Sequence, residues 1–196
     1  MEFDKEQISG MKIFIVDDVP SNLDVLGHML KQNGLEVSIA LTGEKALELV
    51  SLDKPDLILL DVRMPDMDGY EVCSRLKADV NSKDIPVIFI TAMAGTEDLV
   101  RGYKVGGVDY IAKPFHEEEV ICRITTQLKL KRAQDEVIRR EKFYRVIVES
   151  VPDLIFQLDP DWKIVFANPA FRLLGYDPAQ LVGRPIGELI ESDNKE

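Results

Sequence analysis

Apolar and polar positions follow two alternating rhythms over the first 120 residues. Short, mostly apolar runs occur at KIFIVD (12–17), EVSIA (36–40), DLILLD (56–61), IPVIFITA (85–92) and VDYIA (108–112). They are rich in β-branched and aromatic residues and read as strands buried on both faces. Between them the period changes to that of a helix. Ser21 is expected to cap a helix with Leu23, Leu26 and Leu30 on one face and Gly34 at its end. Thr42 is expected to cap a second, carrying Ala46, Leu47 and Val50. Gly69 to about Val80 predicts a third, with Val72 and Leu76 inward. Thr96 is expected to cap a short fourth helix reaching Val105, and a fifth is expected from near Pro114, where a missing N–H costs nothing.

Five such alternations imply an α/β fold: a parallel five-stranded sheet with helices on both faces. Right-handed crossovers make it doubly wound, and the flavodoxin-like (βα)5 strand order 2-1-3-4-5 is expected.

The fifth helix has no stop signal. No Pro or Gly occurs between Phe115 and Val151. Val120, Ile121, Ile124 and Leu128 form the stripe that would pack on the sheet. Leu130, Val137, Tyr144 and Val148 then fit a heptad seam, interrupted by Gln134 and Glu141. An apolar stripe this far from its domain needs a partner, so a two-stranded coil, and a homodimer through residues 117–150, is expected. After Pro152 the texture changes again. DLIFQLD (153–159) and KIVFAN (163–168) read as strands joined by a PDW turn, and short helices broken by Pro and Gly follow. About 45 residues are too few to bury a normal core.

Charge narrows the function. The net charge is −11: −8 over residues 1–116, +2 over 117–145 and −5 over 146–196. An acidic body repels a phosphate backbone, so no nucleic-acid partner is expected. The basic middle reads as the solvated side of a helix. The two cysteines, Cys73 and Cys122, have no metal or redox spacing and are expected to be packing residues, which suits a reducing cytoplasm. No apolar run approaches the length of a membrane helix, and the N-terminus lacks the apolar region of a secretory signal, so no membrane association is expected.

In an open parallel sheet, ligands sit beyond the C-terminal strand ends. Strand one ends in Asp17 and Asp18, strand three in Asp61, strand four in Thr91, and strand five leads into Lys113. Clustered carboxylates need a cation, and an oxygen-only, partly open cluster suits Mg2+. Such a cluster with a lysine and a hydroxyl can stabilise phosphoryl transfer, and a carboxylate can itself be the nucleophile.

This set, Asp17-Asp18, Asp61 followed by MPDMDG, Thr91-Ala92 and Lys113-Pro114-Phe115, resembles the receiver domain of two-component response regulators over roughly residues 10–130. The resemblance implies that Asp61 is the phosphoacceptor. Asp17, Asp18, Asp61 and the Arg63 backbone carbonyl would bind Mg2+. Thr91 and Lys113 would read the phosphoryl group, and Tyr110 would be the aromatic switch residue. The donor would be a histidine kinase or phosphotransfer protein. The chain would be a signalling phosphoacceptor, not an enzyme. Residues 147–190, through LIFQLDPDWKIVFANPAFRLLGY and LVGRP, are similar to the start of a PAS sensory domain. The expected division is a receiver at 10–130, a signalling helix at 117–150 and a partial PAS domain at 151–196, as a piece of a longer signalling protein whose output lies elsewhere.

Other readings fit less well. An EF-hand with Gly69 at its sixth position would start at Met64 and need an acid at Arg75. A dehalogenase-type phosphatase would want an acid where Arg63 stands. No Gly-rich nucleotide loop is present. His28 reads as a packing or surface residue, His116 opens the last receiver helix, and Met64 and Met67 read as loop and rim residues. Two alternatives remain: a constitutive, never-phosphorylated scaffold, and a metal-dependent acyl-phosphate hydrolase, for which no substrate pocket is visible.

Overall fold

Strand Lys12–Val16 (β1) lies between Glu36–Ala40 (β2) and Leu57–Asp61 (β3) in a computed structural model that describes residues 8–92 and 95–192. Val87–Thr91 (β4) and Asp109–Ala112 (β5) complete a sheet of order β2-β1-β3-β4-β5, parallel throughout. That is the expected doubly wound fold.

Its helices are Pro20–Gln32 (α1), Gly43–Leu52 (α2), Gly69–Ala78 (α3), Thr96–Lys104 (α4) and Glu117–Ser150 (α5). Strand side chains alternate between two cores. Phe14, Leu60 and Phe89 pack with Ala46 and Val50 of α2 and Val72 and Leu76 of α3. Ile15, Leu59 and Ile90 pack with Leu26 and Leu30 of α1 and Ile121, Ile124 and Leu128 of α5. Both faces of the sheet are thus covered, and each fully buried aliphatic side chain contributes about 1.5–3 kcal/mol.

Several boundaries and caps differ from the sequence expectation. Val19, not Ser21, is the N-cap of α1, and Pro20 starts the helix. Proline fixes the helical φ and lacks an N–H that the first turn would leave unpaired, so no side-chain cap is needed. Gly95, not Thr96, caps α4, and Thr96 is the first helical residue. Helix α3 stops at Ala78, leaving Val80 exposed. Pro114 does not open α5; two residues, Phe115 and His116, separate it from Glu117, where a run of glutamates complements the helix N-terminus. Thr42 does cap α2, accepting the Lys45 N–H at 3.3 Å.

Cys73 is buried, as expected, but Cys122 is exposed, because the α5 face turned to the sheet carries Ile121 and Ile124 and leaves 122 outside. Met64 and Met67 lie in the loop between β3 and α3, as expected, with both side chains packed into the core shared with α2 and α3.

The chain divides into two compact units, residues 1–134 and 135–196. Helix α5 is continuous over 34 residues and passes from one into the other. Beyond Leu128 its apolar side chains Leu130, Val137 and Tyr144 are exposed. The pairs Glu136–Arg140 and Glu141–Arg145 join charges one turn apart along it. Such pairs add only a few tenths of a kcal/mol each, about 0.2–0.5.

In the second unit Phe156–Leu158 (β6) and Ile164–Ala167 (β7) form an antiparallel hairpin. Asp159 Oδ1 accepts the N–H groups of Asp161 and Lys163, closing the turn around Trp162, whose φ is 61°. A 3-10 helix, Pro169–Leu174, and helices Pro178–Leu181 (α6) and Gly187–Ser192 (α7) follow. The core here is Ile164, Phe171 and Leu181, with large apolar side chains such as Leu173 and Trp162 left in solvent. This is the small core the segment length implies.

Candidate functional site

Strand register carries the polar residues to one edge. Val16 pairs with Leu60, so Asp17 emerges beside Asp61. Asp61 pairs with Ile90, so Thr91 lies one step beyond it. Thr91 pairs with Ala112, and the next residue, Lys113, donates its N–H to the Thr91 carbonyl at 2.8 Å.

Side-chain oxygens of Asp17, Asp18 and Asp61 all lie within 4.8 Å of one another. Asp17 and Asp61 are buried and Asp18 is half-buried. Lys113 Nζ reaches two of them, 2.8 Å from Asp17 Oδ2 and 2.7 Å from Asp61 Oδ1. Asp17 also accepts the Val19 N–H and the Asn22 amide, each at 2.9 Å. Asp61 Oδ2 accepts the Arg63 N–H at 3.1 Å. Thr91 is buried at the same edge.

One ammonium faces three carboxylates. Burial pushes the Asp61 carboxyl above its usual range; Lys113 pulls it back, while Asp17 and Asp18 push it up again. Burial alone would lower the Lys113 pKa, but its bonds to Asp17 and Asp61 outweigh that and raise it. The site therefore holds a firmly charged lysine and an excess of negative charge. Oxygen-only donors with uncompensated charge fit a hard divalent cation such as Mg2+.

Residues 13–125 match the family model of the response regulator receiver domain. The chain belongs to the receiver-domain family. Residues 142–196 match the PAS fold. Over 130 residues the receiver is 39% identical to the response regulator PleD of Caulobacter vibrioides, covering 66% of this chain and 29% of PleD. The receiver domain of a signal transduction histidine kinase from Syntrophus aciditrophicus superposes with a TM-score of 0.57 at 35% identity, covering 61% of this chain and 91% of that one. A sensor histidine kinase receiver domain from Pseudomonas aeruginosa, with a magnesium ion coordinated in its active-site cleft, superposes with a TM-score of 0.56 at 33% identity, covering 61% and 98%. The chain spans 29–54% of the length of the curated relatives it matches.

Beside this edge of the receiver is a cavity of about 570 Å3, lined by Arg63, Met64, Asp68, Tyr70, Thr91 and Arg101 among others. Arg101 pairs with Asp68 at 3.1 Å and stacks over the Tyr70 ring at 4.2 Å. Tyr110 points inward and is buried. Its hydroxyl lies within bonding distance of the carbonyls of Asp98 at 3.0 Å and Leu99 at 3.1 Å, and the Tyr70 hydroxyl donates to the same Asp98 carbonyl at 3.2 Å. Two tyrosines thus hold the first turn of α4, a helix whose own buried residue is Gly102.

Asn22 and Gly102, and the packing reason for Gly69, were not legible in the sequence. Asn22 orients Asp17; a polar residue in the first turn after a strand-end acid was the available signal. A Cβ on Gly69 would collide with the Asp61 carbonyl oxygen, so glycine lets α3 start against the acid's own backbone. A Cβ on Gly102 would collide with the Tyr110 hydroxyl. Gly69 was legible as the start of α3 and the end of the MPDMDG stretch, but neither clash has a signal in the sequence, because each is with a neighbour distant in the chain.

Proposed function

We propose that this chain is a phosphoacceptor response regulator. Asp61 takes a phosphoryl group from a phosphohistidine on a histidine kinase or phosphotransfer protein. An Asp61 carboxylate oxygen forms the new P–O bond as the P–N bond breaks. The electron pair stays on the imidazole nitrogen, leaving histidine on the donor and an acyl phosphate on Asp61. Asp17, Asp18, Asp61 and the Arg63 carbonyl would hold Mg2+, which supplies charge neutralisation for the phosphoryl oxygens. Lys113 stands ready to pair with a phosphoryl oxygen, and the Thr91 hydroxyl to bond another. The observation that carries this reading is Lys113 Nζ bridging Asp17 and Asp61 inside the three-carboxylate cluster.

Phosphorylation would shift a two-state equilibrium involving Thr91 and Tyr110, and α5 would carry it onward. We read residues 10–130 as the receiver, 117–150 as a signalling helix and 151–196 as part of a PAS domain. The chain acts as a signalling phosphoacceptor in the cytoplasm, where such donors reside. Among the described residues no helix is long and apolar enough to cross a membrane. Its net charge of −11 disfavours nucleic acid as a partner. The exposed Leu130, Val137 and Tyr144 support a homodimer through 117–150. Incubation with a radiolabelled phosphohistidine phosphotransfer protein tests the reading. Label should pass to the wild type and not to Asp61→Asn; equal labelling of both would overturn it.

A further inference from the structure

Asn168 is a fully buried polar side chain far in sequence from the receiver. It follows β7 and makes four hydrogen bonds across 13 to 20 residues of chain. Its Nδ2 group lies within bonding distance of the carbonyls of Val148 at 3.1 Å, Val151 at 3.3 Å and Asp153 at 2.9 Å. Its Oδ1 accepts the Ile155 N–H at 3.0 Å. The backbones add a further bond, from the Asn168 N–H to the Ile155 carbonyl at 2.9 Å.

Those partners are not equivalent. Val148 belongs to the last turn of α5, whose carbonyls have no partner within the helix. Val151 and Asp153 lie in the connection leaving it, and Ile155 precedes β6. One amide therefore takes up the acceptors at the end of the helix with its nitrogen and the entry to the hairpin with its oxygen. It is not acting as a local cap: the 3-10 helix that starts after it receives no side-chain bond from it. Nor does this unit's apolar core hold the joint, since among the described residues none of that cluster lies in α5 or in the connection after it. A buried amide left half-satisfied is unfavourable, so the helix end and the hairpin cannot move apart without losing bonds on one side.

We propose that Asn168 is the positioning residue that couples the C-terminal end of α5 to the β6–β7 hairpin. A rotation or shift of α5 is then passed to β6 and β7 through this side chain instead of being lost in the five-residue connection between Ser150 and Phe156. This rests on the reading of the chain as a receiver that signals through α5.

The test is hydrogen exchange on the full chain, before and after acetyl phosphate and Mg2+, with intact mass reporting phosphoryl uptake in the same samples. The variants are Asn168→Ala, and Asn168→Asp, which keeps an acceptor for the Ile155 N–H but loses the amide donor toward the helix. In the wild type, phosphorylation is expected to change exchange around Tyr110 and also across 155–168. In both variants the change around Tyr110 should remain and the change across 155–168 should be lost. No uptake in the wild type would overturn the phosphoacceptor reading itself. Uptake with a hairpin response that survives in the variants, or that is absent from the wild type, would overturn the coupling role alone. Loss of protection at the Asp159 amide, which donates to the Lys163 carbonyl at 2.9 Å across the β6–β7 turn, in the unphosphorylated variants would also overturn it, since Asn168 would then hold the hairpin together and not join it to the helix.

Discussion

The Lys113 ammonium stands 2.7 Å from Asp61 Oδ1, on a side chain that also bonds Asp17 at 2.8 Å. One cation is shared between two buried carboxylates, with a third close by. Asp61 ends a strand because the register delivers it to this shared lysine.

That crowding has a measurable consequence for stability. The Asp61 pKa is raised on folding, chiefly by burial. Its contribution is fully present below the unfolded carboxylate value and is lost as pH rises through the higher folded value. At neutral pH without Mg2+ the ionised Asp61 therefore weakens the fold. Asp61→Asn is expected to be more stable than wild type at pH 7, by no more than about 1 kcal/mol because the Lys113 bond offsets part of the burial cost. The advantage should shrink as pH falls toward 4. Urea denaturation across this range checks it, and a less stable variant at pH 7 would contradict it.

Gly102 and Tyr110 occupy one space. A Cβ at 102 would overlap the Tyr110 hydroxyl. Gly102→Ala should cost about 1–3 kcal/mol by overpacking. Adding Tyr110→Ala should cost less in the Gly102→Ala background than in wild type, a coupling that a double-mutant cycle by chemical denaturation measures. Additive losses would show that the two sites do not compete.

Cys73 sits within the core with its thiol donating to the Val105 carbonyl at 3.4 Å. Burial raises its pKa from 9.0 to about 11. The unfolded chain then loses this proton first, so stability falls as pH rises between those values. The fall attributable to this group is about 2–3 kcal/mol. Stability curves from pH 8 to 11 should be flatter in Cys73→Ala than in wild type. Parallel curves would place the thiol in a more polar setting.

Helix α5 exposes Leu130, Val137 and Tyr144 once its sheet-packing face has ended at Leu128. The chain should sediment as a dimer, and Val137→Glu should shift it toward monomer by placing like charges in the seam. A wild-type monomer at high concentration would contradict the pairing.

The strands and their terminal polar residues were legible because strand period and strand-end chemistry are local signals; the strand order, and with it the convergence of Asp17, Asp61, Thr91 and Lys113, followed from the doubly wound fold expected for such a pattern and not from periodicity. The flat, apolar character of DLILLD marked both the strand and its terminal acid. Caps were less legible: Ser21 and Thr96 look like capping residues, yet Pro20 and Gly95 decide where the helices start. Cys122 illustrates a second limit. It lies beside Ile121, but one residue is 100° around a helix, enough to turn it from core to solvent. Asn22, Gly69, Gly102 and Asn168 owe their roles to partners brought near only by the fold.

The most direct test of the central claim is intact mass after incubation with acetyl phosphate, with and without Mg2+, for wild type and Asp61→Asn. A gain of one phosphoryl group that needs Mg2+ and disappears in the variant is the predicted result. No gain in the wild type under any condition, or an equal gain in Asp61→Asn, would contradict the account, and absence of any gain would favour a scaffold whose acidic cluster serves another purpose.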